Sequence, residues 1–211
     1  QLHVNPLTAA LLLRAVETSG ARPGRDVLVL TAAGSAVARL LIGLLLDRGF
    51  DVVGVVRREA GVNELNVVFP DLPVVSTDKP GWQENVISAA DGHPIGVVLD
   101  PVGGETASAA AGLLAQGGSL VSYGDLSGQP ISVSALYFST RDIRISGVTV
   151  GRWASLPVKI RKADLKLAIE LAAGKPELFP VEKTFDLADV GKAAALVEMP
   201  GKTGTVLLSS Y

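Results

Sequence analysis

Five short runs rich in Val, Leu and Ile recur over the first 124 residues: VLVL (27–30), DVVGVV (51–56), PVVS (73–76), IGVVLD (95–100) and SLVSYG (119–124). Their apolar residues sit at successive rather than alternate positions, so both faces of each strand must be covered. Between them lie segments of helical spacing: 35–47, the stretch after Arg58, 83–90 and 105–115. A leading helix opens at Asn5-Pro6, with Pro near its first turn, and stops at Gly20. Strands that alternate with helices and are apolar on both sides predict an α/β fold, a doubly wound parallel sheet with right-handed crossovers.

Past Gly128 the rhythm changes. A loop containing Pro and Ser leads to RDIRISGVTV (141–150), which alternates and predicts a half-exposed strand. A helix over 156–173, a strand VEKTF (181–185), a helix over 187–198, the turn PGKTG and a last strand TVLLS complete the chain. Composition narrows the ligands. The 19 basic residues against 21 acidic ones form no basic stripe, which argues against nucleic acid and anionic membranes and leaves small molecules. The chain has no Cys and only His3 and His93, so thiol chemistry and thiolate zinc sites are excluded and no metal is expected. Charged residues or glycine interrupt the apolar stretches before the roughly 20 residues that span a bilayer, so no membrane is expected. The chain opens on Gln1 with no signal peptide and enters a helix at once, which predicts a piece cut from a longer protein.

Chemistry is expected where strands end and helices begin. After VLVL the turn Ala32-Ala33-Gly34-Ser35-Ala36-Val37-Ala38 has the outline of a dinucleotide turn but keeps only Gly34 of the glycines in that fingerprint. Alanine adds only a methyl, and Ser35 can cap the helix and offer its hydroxyl to a phosphate, so a phosphate turn and a plain capped helix both remain open. The second strand ends in Arg57-Arg58, about 20 residues on. Arginine there suits the 2′-phosphate of NADP where an acid would suit NAD, although a solvated basic pair has the same sequence. Gly103, Gly104 and Gly124 mark backbone turns at the mouth of the sheet. Asp100 reads as an acid or as a cap on local N–H groups, and Tyr123 as a ribose-pocket wall or as packing on the sheet edge.

Several stretches together, NPLTAALLL, AAGSAVARLL, VVGVVRREA, VLDPVGGET, GGSLVSYGDLSG, IRISGVTVGRW, VEKTFDLADVGKAAAL and GKTGTVLL, resemble the medium-chain dehydrogenase/reductases. The likeness covers nearly the whole chain and is greatest to the zinc-independent quinone reductases and trans-2-enoyl reductases. In the enoyl reductase-like members the turn reads AANSGVG, so Ser35 matches while Ala36 and Ala38 replace glycines. The resemblance implies a Rossmann-like dinucleotide-binding domain over 1–150, and a segment over 151–211 that packs on it and returns to a GroES-like catalytic domain missing from this chain. It implies NADPH, with pyrophosphate over Ser35, Ala36 and Val37, the 2′-phosphate near Arg57 and Arg58, and the nicotinamide side near Thr8, Gly103, Tyr123, Gly124, Phe138 and Val148. Catalytic residues stay unknown, because the family's substrate-orienting tyrosine lies in the missing domain. The expected parent is an oxidoreductase that reduces an enone, an enoyl thioester or a quinone, while the chain alone is expected to turn over little. A non-catalytic NADP(H)-sensing module and a fragment of a zinc alcohol dehydrogenase are the alternatives. A homodimer through the strand near 143–150 and a location in the cytoplasm, with an organelle matrix still open, complete the expectations.

Overall fold

The computed structural model describes residues 3–199 and 204–210. Helix α1 (Asn5–Ser19) leads into β1 (Val27–Leu30), α2 (Ala36–Leu46), β2 (Asp51–Val56), α3 (Glu59–Val68), β3 (Val74–Ser76), α4 (Trp82–Ala89) and β4 (Ile95–Asp100). Next come α5 (Gly104–Ala111), β5 (Ser119–Ser122), α6 (Ala135–Thr140) and β6 (Arg144–Gly147). The six strands form one parallel sheet in the order β3-β2-β1-β4-β5-β6, as the apolar runs require.

Side chains of successive strand residues point to opposite faces, and each face has its own core. Leu28 and Leu30 join Val97, Leu99 and Val121 under α1 and α2. Val27 and Val29 join Val53, Val98 and Leu120 under α4 and α5. This is why the strands read as unbroken apolar runs. β1 is buried at every residue.

After β6 a 3-10 segment (Val150–Ser155) leads to α7 (Val158–Gly174), β7 (Val181–Asp186), α8 (Val190–Glu198) and β8 (Thr205–Ser209), with β7 and β8 making a separate parallel pair. Polar contacts tie this segment to the first two helices. Asp164 on α7, 3% exposed, accepts from Arg14 of α1 at 2.7 Å and from the Trp153 indole at 2.9 Å. Lys175 reaches Asp47 and the Gly43 carbonyl at the end of α2.

Three expectations change. The strand expected over 141–150 is only β6, four residues long, and its burial does not alternate: every residue is exposed. It is the outer strand, hydrogen-bonded to β5 alone, so the buried anchor shifts to Ile143, 2% exposed, while Ile145 is 47% exposed. The loop after Gly128 contains α6, whose start Ser134 caps at Tyr137 N. Tyr137 Oη then donates to the carbonyls of Gly112 and Leu114, and α5 ends at Ala111 rather than 115. Except for Gly204, the turn PGKTG lies outside the described residues. Among the described residues no helix is long and apolar enough to cross a membrane.

Candidate dinucleotide site at the strand-order reversal

β1 lies between β2 and β4, where the order of the strands reverses. In an open α/β sheet the ligand crevice lies beyond the carboxyl ends of the strands at such a point. The turn after β1 is fastened on both sides: Thr31 N donates to Leu99 O of β4 at 3.1 Å, and Ala33 N to Val55 O of β2 at 3.0 Å. Close packing needs Gly54, where a Cβ would come within 3.1 Å of the Ala33 methyl. Ala32 takes φ +46°, a left-handed conformation that alanine adopts only at a cost. Ser35, extended at φ −70° and ψ 155°, then starts α2 and accepts from Ala38 N at a long 3.3 Å. The first-turn amides of Ala36 and Val37 have no intrahelical acceptor, and the positive end of the helix dipole lies there.

The turn after β4 is held by a buried carboxylate. Asp100, with no exposed surface, accepts from the Thr31 hydroxyl, from Gly103 N at 2.7 Å and from Val102 N at 3.0 Å. Burial pushes its pKa above the ordinary aspartate value, while these three hydrogen bonds oppose the shift. Of the two readings open in the sequence, the cap is the one observed. The Thr31 contact also joins the β1 and β4 turns directly. At Gly103 φ is +75°, and at Gly124 a Cβ would meet Pro101 O at 2.8 Å, so both glycines are required by the backbone itself.

Tyr123 follows β5 and packs into the core beneath α1 and α2. Its Oη is buried and makes no hydrogen bond of acceptable geometry. Burial raises the phenol pKa well above its ordinary value, the Asp100 charge adds to this, and the nearby Ser35 hydroxyl opposes it. A buried donor with no partner, beside free amides at a helix start, matches the oxygens of a bound phosphate group.

Beside this turn a groove of about 180 Å³ is lined by Ala32, Gly34, Ser35, Arg57, Arg58 and Glu64, so both arginines meet the turn in one place. On the other side of α2, Ser35 and Ala36 face Arg39, Leu178 and Phe179 across a space of about 400 Å³. Val148 lines a further groove with Leu11 and Arg152. Thr8 is buried on α1, its hydroxyl bonded to Val4 O at 2.9 Å. Phe138, on α6, is 42% exposed and lines none of these grooves.

Sequence reasoning missed Thr31, Glu64 and Asp78. Thr31 carried a signal, since it is polar at the end of a fully apolar strand. Asp78 carried none: its partner, Glu59 N, is 19 residues away. A larger groove of about 680 Å³ opens at the other end of the strands, around Phe50, Phe69 and Leu72, and contains none of the predicted residues.

Comparisons with known proteins bear on the family and the fold. The family model described as zinc-binding dehydrogenase matches residues 36–171. A mitochondrial enoyl-[acyl-carrier-protein] reductase of Arabidopsis thaliana is 31% identical over 158 residues, 74% of this chain and 41% of that protein. Its counterpart in Caenorhabditis elegans is 28% identical over 200 residues, 89% of this chain and 55% of that protein. The chain spans about half the length of the curated relatives it matches. Among solved structures, one described as an NADPH:quinone reductase of Bacillus thuringiensis superposes with a TM-score of 0.81 at 26% identity, over 100% of this chain and 63% of that one. A mitochondrial 2-enoyl thioester reductase heterodimer of Candida tropicalis, at 19% identity, TM-score 0.76 and coverage of 94% and 58%, shares the fold. The family's name implies zinc, but the described residues contain no group of three His, Cys, Asp or Glu placed to hold a metal ion. With over half of its residues inside the family match, the chain belongs to the zinc-binding dehydrogenase family, among the medium-chain dehydrogenase/reductases and on their zinc-independent enoyl and quinone reductase branch.

Proposed function

We propose that this chain is the NADPH-binding domain of a zinc-independent oxidoreductase whose substrate is an enone or enoyl thioester with an activated C=C bond, or a quinone. The observation that carries the reading is the meeting, around Ser35, of the α2 amides, the unpartnered Tyr123 hydroxyl and the groove containing Arg57 and Arg58. When bound, NADPH supplies a hydride from its nicotinamide ring.

The residues here bind and orient. The amides of Ala36 and Val37 and the Ser35 hydroxyl take the pyrophosphate, and Tyr123 Oη gains the acceptor it lacks. Arg57 and Arg58 pair with the 2′-phosphate through charge-assisted hydrogen bonds. Thr8, Gly103, Tyr123, Gly124, Phe138 and Val148 border the nicotinamide half. No residue of this chain is assigned to proton transfer, and no step runs through zinc. Residues 1–150 are taken as the cofactor domain and 151–211 as the segment that returns to a catalytic domain. A second copy is the proposed partner, through the free edge of β6. The proposed location is the cytoplasm or an organelle matrix, the latter in keeping with the mitochondrial relatives.

Calorimetry with NADPH and NADH tests the cofactor assignment. NADPH binding well ahead of NADH supports it. No binding of either transfers the reading to a non-catalytic module in which the Ala36 and Ala38 methyls close the turn. Light scattering over a concentration series tests the dimer, and a monomer mass at every concentration rejects it.

A further inference from the structure

The sharpest unexplained feature near the site is the carboxylate of Asp78. It lies just past β3, yet it accepts at 3.0 Å from the backbone N–H of Glu59, the first residue of α3. Arg58, in the cap position of that helix, offers it no side-chain hydrogen bond, so the cap is supplied from another strand. The loop carrying Asp78 is itself fastened to the β2–α3 turn. Thr77 N donates to Val56 O at 2.9 Å, and the Thr77 hydroxyl to Arg57 O. A negative charge is thereby fixed at the base of the two arginines. Arg57, Arg58 and Glu64 line the groove itself, while Asp78 reaches its edge through Glu59 N, the residue after Arg58, with Lys79 next to it in the chain.

This placement bears on the choice between NADPH and NADH. An acid at the end of the second strand normally accepts from the adenosine ribose hydroxyls of NAD, and arginine replaces it for NADP. Here the strand end carries arginine, while the acid arrives from β3. We propose that Asp78 is a specificity-determining residue, whose carboxylate opposes a 2′-phosphate and accepts from a free ribose hydroxyl, so that it narrows the margin by which Arg57 and Arg58 favour NADPH. The proposal rests on the dinucleotide reading above.

The variant Asp78→Asn keeps an oxygen able to accept from Glu59 N while removing the charge. Calorimetry is run on wild type and variant with NADPH, NADH and 2′,5′-ADP, the last probing the adenosine end alone. The expected result is a gain of about three- to tenfold for NADPH and 2′,5′-ADP with no gain for NADH, shrinking in 0.5 M salt as an exposed charge effect must. An unchanged NADPH to NADH ratio in a variant that melts with wild type overturns the role of Asp78 and leaves the site reading intact. If wild type binds none of the three ligands, the site reading fails, and the inference fails with it. If Asp78→Asn unfolds, Asp78→Ser, which also retains an acceptor, takes its place, and an unchanged ratio there overturns the role equally.

Discussion

The mouth of the sheet and the segment after β6 are built by opposite means. At the mouth, Leu30, Thr31, Leu99 and Asp100 are all fully buried, and neighbouring strands share the hydrogen bonds of each turn. From Val158 onward the buried residues are few among the described ones: Asp164, Ala168, Leu171, Leu178 and Ala193. Val158, Leu165 and Ile169 on α7, and Val181, Leu187, Val190, Val197, Met199 and Leu208 beyond it, are each at least 41% exposed. These nine apolar side chains keep much of their surface in solvent, whereas the four residues at the mouth have none there. The proposed binding geometry thus rests on the buried first part, and these exposed apolar side chains lie in the part proposed to return to a catalytic domain.

The most damaging way to break the comparison is Asp100→Ala. It strands the Thr31 hydroxyl and the amides of Val102 and Gly103 in the interior, at an expected cost of about 3–5 kcal/mol in urea unfolding, together with loss of NADPH binding. The same carboxyl gives a pH signature. Its pKa is raised on folding, so just above the ordinary aspartate value the folded chain keeps a proton that the unfolded chain has lost. Stability therefore falls as the pH rises through the folded pKa, and Asp100→Asn removes that component from an unfolding series run upward in pH from the ordinary aspartate value of about 4.

Asp164→Ala leaves the Arg14 guanidinium without its carboxylate and should cost about 3 kcal/mol. Hydrogen exchange sharpens the contrast. Protection should fall in α7 and persist in β1, β4 and β5. A uniform loss would mean that the two regions unfold as one unit.

Smaller effects discriminate within the mouth. Tyr123→Phe removes a buried hydroxyl with no partner, so stability should hold or rise by about 1 kcal/mol while NADPH affinity falls severalfold. A parallel loss of both would make Tyr123 a packing residue only. Ala32→Gly relieves the left-handed turn and should add up to about 1 kcal/mol, read as a rise in the melting midpoint.

The sequence alone determined the doubly wound sheet, because β1, β2 and β4 are buried on both faces and only an unbroken apolar run satisfies two cores. It also determined the start of α2 at Ser35, since capping is local. Arg57 and Arg58 were legible because their spacing from the turn follows from the length of a helix and a strand. Tertiary structure decided the rest: the closure of Thr31 on Asp100, 69 residues apart, the placement of Asp78 at the start of α3, the isolation of Tyr123 Oη, and the shortening of the outer strand to β6. Those features depend on which chain ends the sheet brings side by side, and contacts across such distances leave no periodicity in the sequence to read.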